Sequence, residues 1–186
     1  MRVLGLDIST HTGYAFGDGQ GKYKLGVITY KPHPTERFIR WGDYARKLGN
    51  LITDNPVDVC CIEGYGYANH HTLAPLVELG TVLRMMLRER EVPWFEVPPT
   101  TLKMFISGAG NSKKQQMMLA LHVNFGLEIK DDNMADAQSL ALFTEALLGR
   151  TRKLTPRHYV PVAKYLKGHP EVFQLLENLK SVDKRN

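Results

Sequence analysis

Hydrophobic positions in the first part of the chain follow the pattern of β-strands joined by tight turns. Three segments, at 2–9, 12–17 and 22–30, are rich in apolar and β-branched residues, and Gly-containing turns separate them. The pattern predicts an antiparallel meander at the start of the chain.

The spacing then changes to helices that alternate with short apolar strands. Helical periodicity covers 35–53, 73–91, 100–106, 113–125 and 133–148. The run 57–62 is nearly all apolar, as a central strand buried on both faces is. The segment 92–97 is another short strand, and a last helix is expected near 171–179. This order predicts an α/β fold in which a mixed five-stranded sheet is flanked by helices.

Composition narrows the class of protein. The 186 residues are 43% hydrophobic and 23% charged, which suits a globular protein with one sizeable core. Because we find neither a run of about 20 apolar residues nor a signal-peptide pattern, we expect a cytoplasmic location and no membrane partner. Cys60 and Cys61 adjoin in a predicted strand, so we expect buried thiols that point to opposite faces.

Positive charge is concentrated at the end of the chain. The formal net charge is +5, and a basic balance favours a polyanionic partner. From Arg150 onward there are nine Lys or Arg and three Asp or Glu, a net +6, whereas the preceding 149 residues carry −1. The sequence therefore predicts a nearly neutral body with a basic tail.

Two acidic residues follow predicted buried strands. Asp7 ends the first strand and Glu63 follows the run 57–62. An ionised carboxylate at such a position is costly to desolvate unless a positive charge is near. Since open α/β sheets bind ligands at the carboxyl ends of their strands, both acids are candidate metal ligands.

A second acidic group lies at the start of the predicted helix 133–148. Asp132 and Asp136 are four residues apart and Asn133 and Asp136 three apart, so either pair shares one helix face. Capping of the helix N-terminus and its dipole also explain an acid at Asp131 or Asp132 well, without any metal. They do not explain Asp136, whose small neighbours indicate a helix packed close to another element. Together with Asp7 and Glu63, these residues form a set that suits two hard divalent cations.

Several segments resemble the RuvC-type resolvases, which are DNA endonucleases of the RNase H-like fold. They are LGLDIS (4–9) followed by TGYA (12–15), CIE (61–63), VPPTTLK (97–103) followed by GAG (108–110) and KKQQ (113–116), and ADA (135–137). The resemblance implies metal-dependent cutting of four-way or other branched DNA by a homodimer, with 5′-phosphate and 3′-hydroxyl products. It also implies two Mg²⁺ ions, for which Mn²⁺ is expected to substitute. It covers about residues 2–148, so we divide the chain into a nuclease domain, 1–149, and a basic C-terminal extension, 150–186.

The last acidic motif departs from the bacterial pattern. Bacterial members place an acid or a histidine three residues before the final aspartate, where this chain has Asn133. Mitochondrial-type members place the two acids four apart, which is the spacing of Asp132 and Asp136. We therefore predict Asp7, Glu63, Asp132 and Asp136 as catalytic metal ligands, with Asn133 as the weaker alternative. In its small size and basic tail the chain resembles phage and viral members more than bacterial ones.

The resemblance also implies groups that contact DNA. They are Lys103, Lys113 and Lys114 in the middle segment, and Tyr65 or Tyr67 as an aromatic group that stacks at the junction centre. A solvated helix face is an alternative for Lys113 or Lys114, and core packing for one tyrosine. In the tail, Arg152, Lys153 and Arg157 are predicted phosphate contacts, although the apolar residues around them also allow a packed, merely structural extension.

Two other functions fit parts of the pattern. A phosphotransferase of the actin and sugar-kinase type shares the strand–turn–strand opening with an early aspartate, but such enzymes have a duplicated domain. A non-catalytic binder of structured DNA would keep the basic tail and have no use for Asp7, Glu63 and Asp136. Turnover of ATP, or of branched DNA with magnesium, separates the three.

Overall fold

A five-stranded mixed sheet with helices on both faces forms the body of the protein. The computed structural model describes residues 1–29, 37–65, 70–151 and 154–183. The strands are β1 Val3–Asp7, β2 His11–Gly17, β3 Tyr23–Thr29, β4 Val59–Glu63 and β5 Trp94–Val97. Their order is β3-β2-β1-β4-β5, in which β1 to β3 are antiparallel and β4 and β5 run parallel to β1. The predicted fold class is confirmed.

Seven α-helices connect or follow the strands within these residues. They are α1 Arg37–Asp54, α2 His70–Glu89, α3 Pro99–Ser107, α4 Lys114–Ala120, α5 Asp132–Leu147, α6 Pro156–Gly168 and α7 Pro170–Asp183. A π-helical turn, Leu121–Phe125, continues α4. No helix among them is long and apolar enough to span a membrane.

The alternation of side chains along the strands divides the core into two layers. Cys60 packs with α1 and α2 on one face, and Cys61 packs with α3 to α7 on the other. Both are fully buried free thiols, as predicted. Val3 and Ala15 lie on the same face as Cys61, which we call the α5 face.

Helix α6 was missed by the sequence analysis. Prolines are unfavourable inside helices, but Pro156 occupies the first turn, where its missing N–H costs nothing. Pro161 lies inside the helix and is buried, together with Val162 and Tyr165. Burial of this apolar face outweighs the local cost of an internal proline.

The described part of the C-terminal extension packs on the body. Val162, Tyr165, Val172 and Leu176 belong to the same buried cluster as the α5 face, and the Tyr165 hydroxyl donates a hydrogen bond to the backbone carbonyl of Glu96. Docking of the tail, which the sequence left open beside DNA binding, is therefore observed. The division at residue 149 stays a prediction.

Candidate active site

Asp7 and Glu63 end neighbouring parallel strands. Leu6 of β1 pairs with Ile62 of β4, so the two acids lie side by side at the carboxyl edge of the sheet. Successive side chains alternate between faces, and Val3 and Cys61 belong to the cluster on the α5 face. Asp7 is an even number of residues from Val3, and Glu63 is an even number from Cys61. The alternation of side chains therefore places both acids on the α5 face.

Helix α5 crosses this face at unusually short range because two strand positions lack a side chain. A Cβ added to Gly5 would lie 2.1 Å from the carbonyl oxygen of Ala137, and one added to Gly13 would lie 2.0 Å from that of Asn133. Gly13 is the β2 partner of Asp7. The first turns of α5 are therefore held beside Asp7, and the predicted close packing of this helix is confirmed.

The beginning of α5 contains the remaining candidate ligands. Asp131 is the N-cap, and its side chain accepts a hydrogen bond of 3.0 Å from the backbone N–H of Met134. Asp132, one residue further, is half-exposed and forms an ion pair with Lys114 at the start of α4. Asn133 donates from its side-chain amide to carboxylate oxygens of Asp131 and Asp132, each at 3.4 Å. Capping thus accounts for Asp131 and not for Asp132.

The acids influence one another's protonation. Burial, and then the charge of Asp136, raises the pKa of Asp7 to about 7. Burial, and then the charges of Asp7 and Asp136, raises the pKa of Glu63 to about 8. Burial also raises the pKa of Asp136. Asp7, Glu63 and Asp136 therefore form a cluster of largely buried carboxyl groups with unfavourable mutual repulsion.

The pKa of Asp132, the fourth candidate ligand, is shifted in the opposite direction from those of the other three acids. The hydrogen bond from Lys114 lowers the pKa of Asp132 and raises that of the lysine itself. The charge of Lys114 also acts on Asp7, Glu63 and Asp136, and that of Lys103 on the latter two. Both lysines are therefore near the acids, and their predicted contact with DNA stays a prediction. Lys113 has an exposed side chain and forms the N-cap of α4, where its backbone N–H donates to Gln116.

The donor set suits a hard divalent cation in its chemistry. All the candidate ligands offer oxygen. Burial is the main cause of the raised pKa values of Asp7 and Glu63, and a cation bound beside them would lower these values again. In the described ranges, however, no three His, Cys, Asp or Glu side chains are close enough together to enclose an ion. Asp132 points to Lys114. Coordination by all four groups would therefore require side-chain rotation, above all at Asp132.

Tyr65 is anchored to the body of the protein. Its hydroxyl accepts a hydrogen bond of 2.9 Å from Arg84 and donates one of 3.3 Å to the carbonyl of Leu76 in α2. Arg84 also lies over the tyrosine ring and forms an ion pair with Glu96. The ring is 40% exposed. The sequence did not identify Arg84, whose only signal was a single cation in an apolar stretch of α2.

The other DNA-contact candidates are in part outside the described residues. Tyr67, Arg152 and Lys153 fall outside them. Arg157 lies in the first turn of α6, and its guanidinium donates a hydrogen bond of 2.6 Å to the side-chain oxygen of Asn124. This bond fixes Arg157 on the surface beside the π-helical turn.

The chain is similar to proteins named as crossover junction endonucleases and Holliday junction resolvases. No protein-family model matches the chain. The crossover junction endodeoxyribonuclease RuvC of Prochlorococcus marinus (strain MIT 9303) is 27% identical over 149 residues, which cover 76% of this chain and 96% of the relative. The structure of Thermus thermophilus RuvC in complex with Holliday junction substrate has a TM-score of 0.64 and 20% identity, and covers 76% of this chain and 90% of that one. The yeast mitochondrial Holliday junction resolvase has a TM-score of 0.54 and 18% identity, over 93% and 83% of the two chains.

These likenesses confirm the resemblance that the motifs indicated. The sequence match covers most of the chain and almost the whole of the relative. The structural matches, which are less than 25% identical, show a shared fold. The individual site residues remain predictions.

Proposed function

We propose that this protein is a structure-selective DNA endonuclease that hydrolyses phosphodiester bonds in four-way and other branched DNA. The observation that carries the proposal is the pair of largely buried acids, Asp7 and Glu63, at adjacent strand ends. Helix α5 brings Asp136 to the same place, and two lysines border the group. The sequence match to crossover junction endonucleases supports the same activity.

Asp7, Glu63, Asp132 and Asp136 would hold divalent cations in this protein, with Asn133 as the alternative to Asp132. We propose two Mg²⁺ ions, for which Mn²⁺ substitutes. When bound, such ions activate a water molecule and stabilise the attacking and leaving oxygens of an in-line displacement. The protein therefore needs no general-base histidine, and the products carry a 5′-phosphate and a 3′-hydroxyl.

The lysines bind and orient the DNA strand in this proposal. Lys103 and Lys114 are close enough to the acids for their charges to act on them, so a phosphate held by these lysines would lie beside the carboxylates. Lysine serves such a phosphate as a point charge. Because Lys114 is paired with Asp132, a phosphate that draws it away would leave Asp132 available as a ligand.

In this proposal the enzyme works as a homodimer on a four-way DNA junction. Symmetric cutting of a four-way junction requires two active sites, and a two-fold axis supplies them. On α2, Val77 and Met85 are exposed apolar residues, at 40% and 58%, and they support a role of this helix in pairing. Tyr65, with Tyr67, is the proposed group that stacks on bases at the junction centre.

The two alternative functions account for fewer observations. A kinase of the actin and sugar-kinase type has a duplicated domain, whereas residues 1–29, 37–65, 70–151 and 154–183 form one five-stranded sheet. A silent DNA binder would gain nothing from repulsion among Asp7, Glu63 and Asp136. ATP turnover without DNA cutting would favour the kinase, and binding without any turnover would favour the silent binder. Magnesium-dependent cutting of branched DNA supports the nuclease.

The raised pKa values predict an unusual dependence of stability on pH. Between about pH 4 and pH 8 the folded protein binds more protons at Asp7 and Glu63 than the unfolded chain does. The free energy of unfolding should therefore fall as pH rises through this range in the absence of divalent cations. Asp7→Asn should raise it at pH 8 by on the order of 1 kcal/mol and should weaken the stabilisation by Mg²⁺. Urea unfolding at pH 5 and pH 8, with and without Mg²⁺, measures both effects.

An exposed acid provides the control for this measurement. Asp43→Asn in α1 removes a surface carboxylate that forms an ion pair with Arg46 of the same helix, so it should keep the wild-type pH profile. Identical pH profiles for the wild type and Asp7→Asn would contradict the proposed electrostatics of the cluster.

Asp132 and Asn133 are distinguished by a paired substitution. Asp132→Asn should lower the cleavage rate by at least about 100-fold, because it removes a proposed metal ligand and the partner of Lys114. Asn133→Ala should change the rate by less than about threefold, since the contact of Asn133 with Gly13 involves the backbone. Single-turnover cleavage with excess enzyme measures the step. The reverse order of effects would assign the fourth ligand to position 133.

The basic tail is expected to add affinity for DNA through phosphate contacts. Each contact that is lost should reduce the magnitude of the slope of log K against log salt by about 0.9 on duplex arms. The test replaces Arg152, Lys153 and Arg157 by glutamine and measures junction binding over a salt series, after circular dichroism has confirmed folding. Lys24→Gln, an exposed change on β3, is the control. An unchanged slope would leave the tail with a structural role only.

A further inference from the structure

A cavity lies at the opposite end of α5 from the acids. It has a volume of about 230 Å³ and is lined by residues of the β2–β3 turn, β3, the π-helical turn and the end of α5. Glu145 lines it and comes nine residues after Asp136, which is roughly 13 Å along a helix. The cavity is therefore separate from the candidate active site.

Glu145 is a buried carboxylate with an unused hydrogen-bonding position. The side chain is 3% exposed, and its Oε2 accepts a hydrogen bond from the hydroxyl of Tyr23. Its Oε1 has no hydrogen-bond partner among the described residues, although the backbone N–H of Gly19 is near enough to lower the pKa of the group. A buried acceptor without a partner is destabilising, and more so when it is charged.

The surroundings of Glu145 favour a cation that also has an apolar part. Phe125, Leu127 and Leu142 form apolar walls. The hydroxyl oxygen of Thr151, which also lines the cavity, is buried and has no partner in the described part of the chain. Oε1 of Glu145 can only accept when the group is ionised, and the Thr151 oxygen can accept as well. The cavity thus combines hydrogen-bond acceptors with hydrocarbon in its lining.

Arg150 is a cation that already lines the cavity. Its guanidinium donates a hydrogen bond of 3.2 Å to the backbone carbonyl of Met1. Burial raises the pKa of Glu145 above its usual value, and the hydrogen bond from Tyr23 and the charge of Arg150 offset part of this rise. The exposed residues Gln20 and Gly21 of the β2–β3 turn lie at the rim, so a ligand has a route from solvent.

We propose that this cavity binds a primary ammonium group on a short apolar chain, with the ammonium hydrogen-bonded to Oε1 of Glu145 and the hydrocarbon against Leu142. A neutral alcohol of the same length fills the same apolar space and can donate one hydrogen bond to the carboxylate, but it lacks the charge that strengthens this bond. Because a hydrogen bond between two ions is stronger than one from a neutral donor, we expect at least about a tenfold difference in Kd.

The test compares n-butylammonium with n-butanol on the full chain by titrations followed in ¹H–¹⁵N correlation spectra. We expect n-butylammonium to shift the amide signals around Tyr23, Leu142 and Thr151, with a Kd at least about tenfold lower than that of n-butanol. Equal affinities would overturn the ammonium preference. Absence of shifts with both compounds would mean that the cavity holds water only, which also overturns the proposal.

Two variants assign the effect to the carboxylate. Glu145→Gln should weaken n-butylammonium binding at least about tenfold and leave n-butanol binding unchanged. Glu128→Gln, an exposed acid next to the lining residue Leu127, should leave both unchanged. Wild-type affinity of Glu145→Gln for n-butylammonium would overturn the proposed contact. If that variant does not fold, the comparison of the two ligands on the wild type tests the ammonium preference by itself. None of these outcomes depends on nuclease activity.

Discussion

Replacing Asp7 by asparagine is expected to reduce cleavage of branched DNA by at least about 100-fold while DNA affinity changes by less than about threefold. Loss of a group that merely supports a metal ligand already costs about 10–100-fold in metal affinity or activity, so loss of a ligand should cost more. DNA affinity is dominated by cationic contacts to phosphate, which this substitution leaves in place. Single-turnover cleavage and equilibrium binding, measured on the same junction, separate the two quantities.

An exposed carboxylate again provides the comparison. Asp43→Asn removes the same charge from α1, where Asp43 lies on the surface, and should cleave at the wild-type rate. Wild-type cutting by Asp7→Asn would show that the acid cluster is not the active site. Equal losses of binding and cleavage would show that Asp7 acts through DNA affinity or folding instead of catalysis.

The second large effect is expected at Gly5, which has no chemical role. An alanine Cβ at this position would lie 2.1 Å from the carbonyl oxygen of Ala137 and 2.6 Å from the backbone N of Ala141. Both atoms belong to the backbone of α5, so the clash can be relieved only if the helix moves. We expect Gly5→Ala to lower the free energy of unfolding by about 3 kcal/mol and to abolish cleavage, because Asp136 moves with the helix.

A glycine in open surroundings serves as the control. Gly42 lies within α1 and has no atom within 4 Å of an added Cβ, so Gly42→Ala should raise stability by up to about 1 kcal/mol. Urea denaturation of both variants measures the difference. Unchanged stability of Gly5→Ala would mean that α5 is held less closely than the site requires.

The local pattern of hydrophobic and polar residues was sufficient to predict most of the fold. Strand periodicity predicted β1 to β5, and it also placed Cys60 and Cys61 on opposite faces, since side-chain alternation is a property of the strand itself. Helix α6 was not predicted, because its prolines are unfavourable locally and its stability comes from burial of Val162 and Tyr165 against other elements.

The candidate site was predictable only in part, for a similar reason. The positions of Asp7 and Glu63 at strand ends follow from the sequence, and the alanines around Asp136 indicated close packing. The ion pair between Lys114 and Asp132 joins two helices through residues that are 18 apart in sequence, and no periodicity encodes it. The contacts of Arg84 with Tyr65 and Glu96 likewise exist only in the tertiary structure.

The most direct test of the central claim is cleavage of a labelled four-way DNA junction, with linear duplex of matched sequence as the comparison. In Mg²⁺ we expect paired cuts across the junction that give nicked duplexes which DNA ligase can seal, since ligation requires a 5′-phosphate and a 3′-hydroxyl. We expect no cutting when a chelator replaces Mg²⁺ and little cutting of the linear duplex. Cutting that is independent of divalent cations, or equally fast on linear duplex, would contradict the account, as would a junction that the protein binds but never cuts.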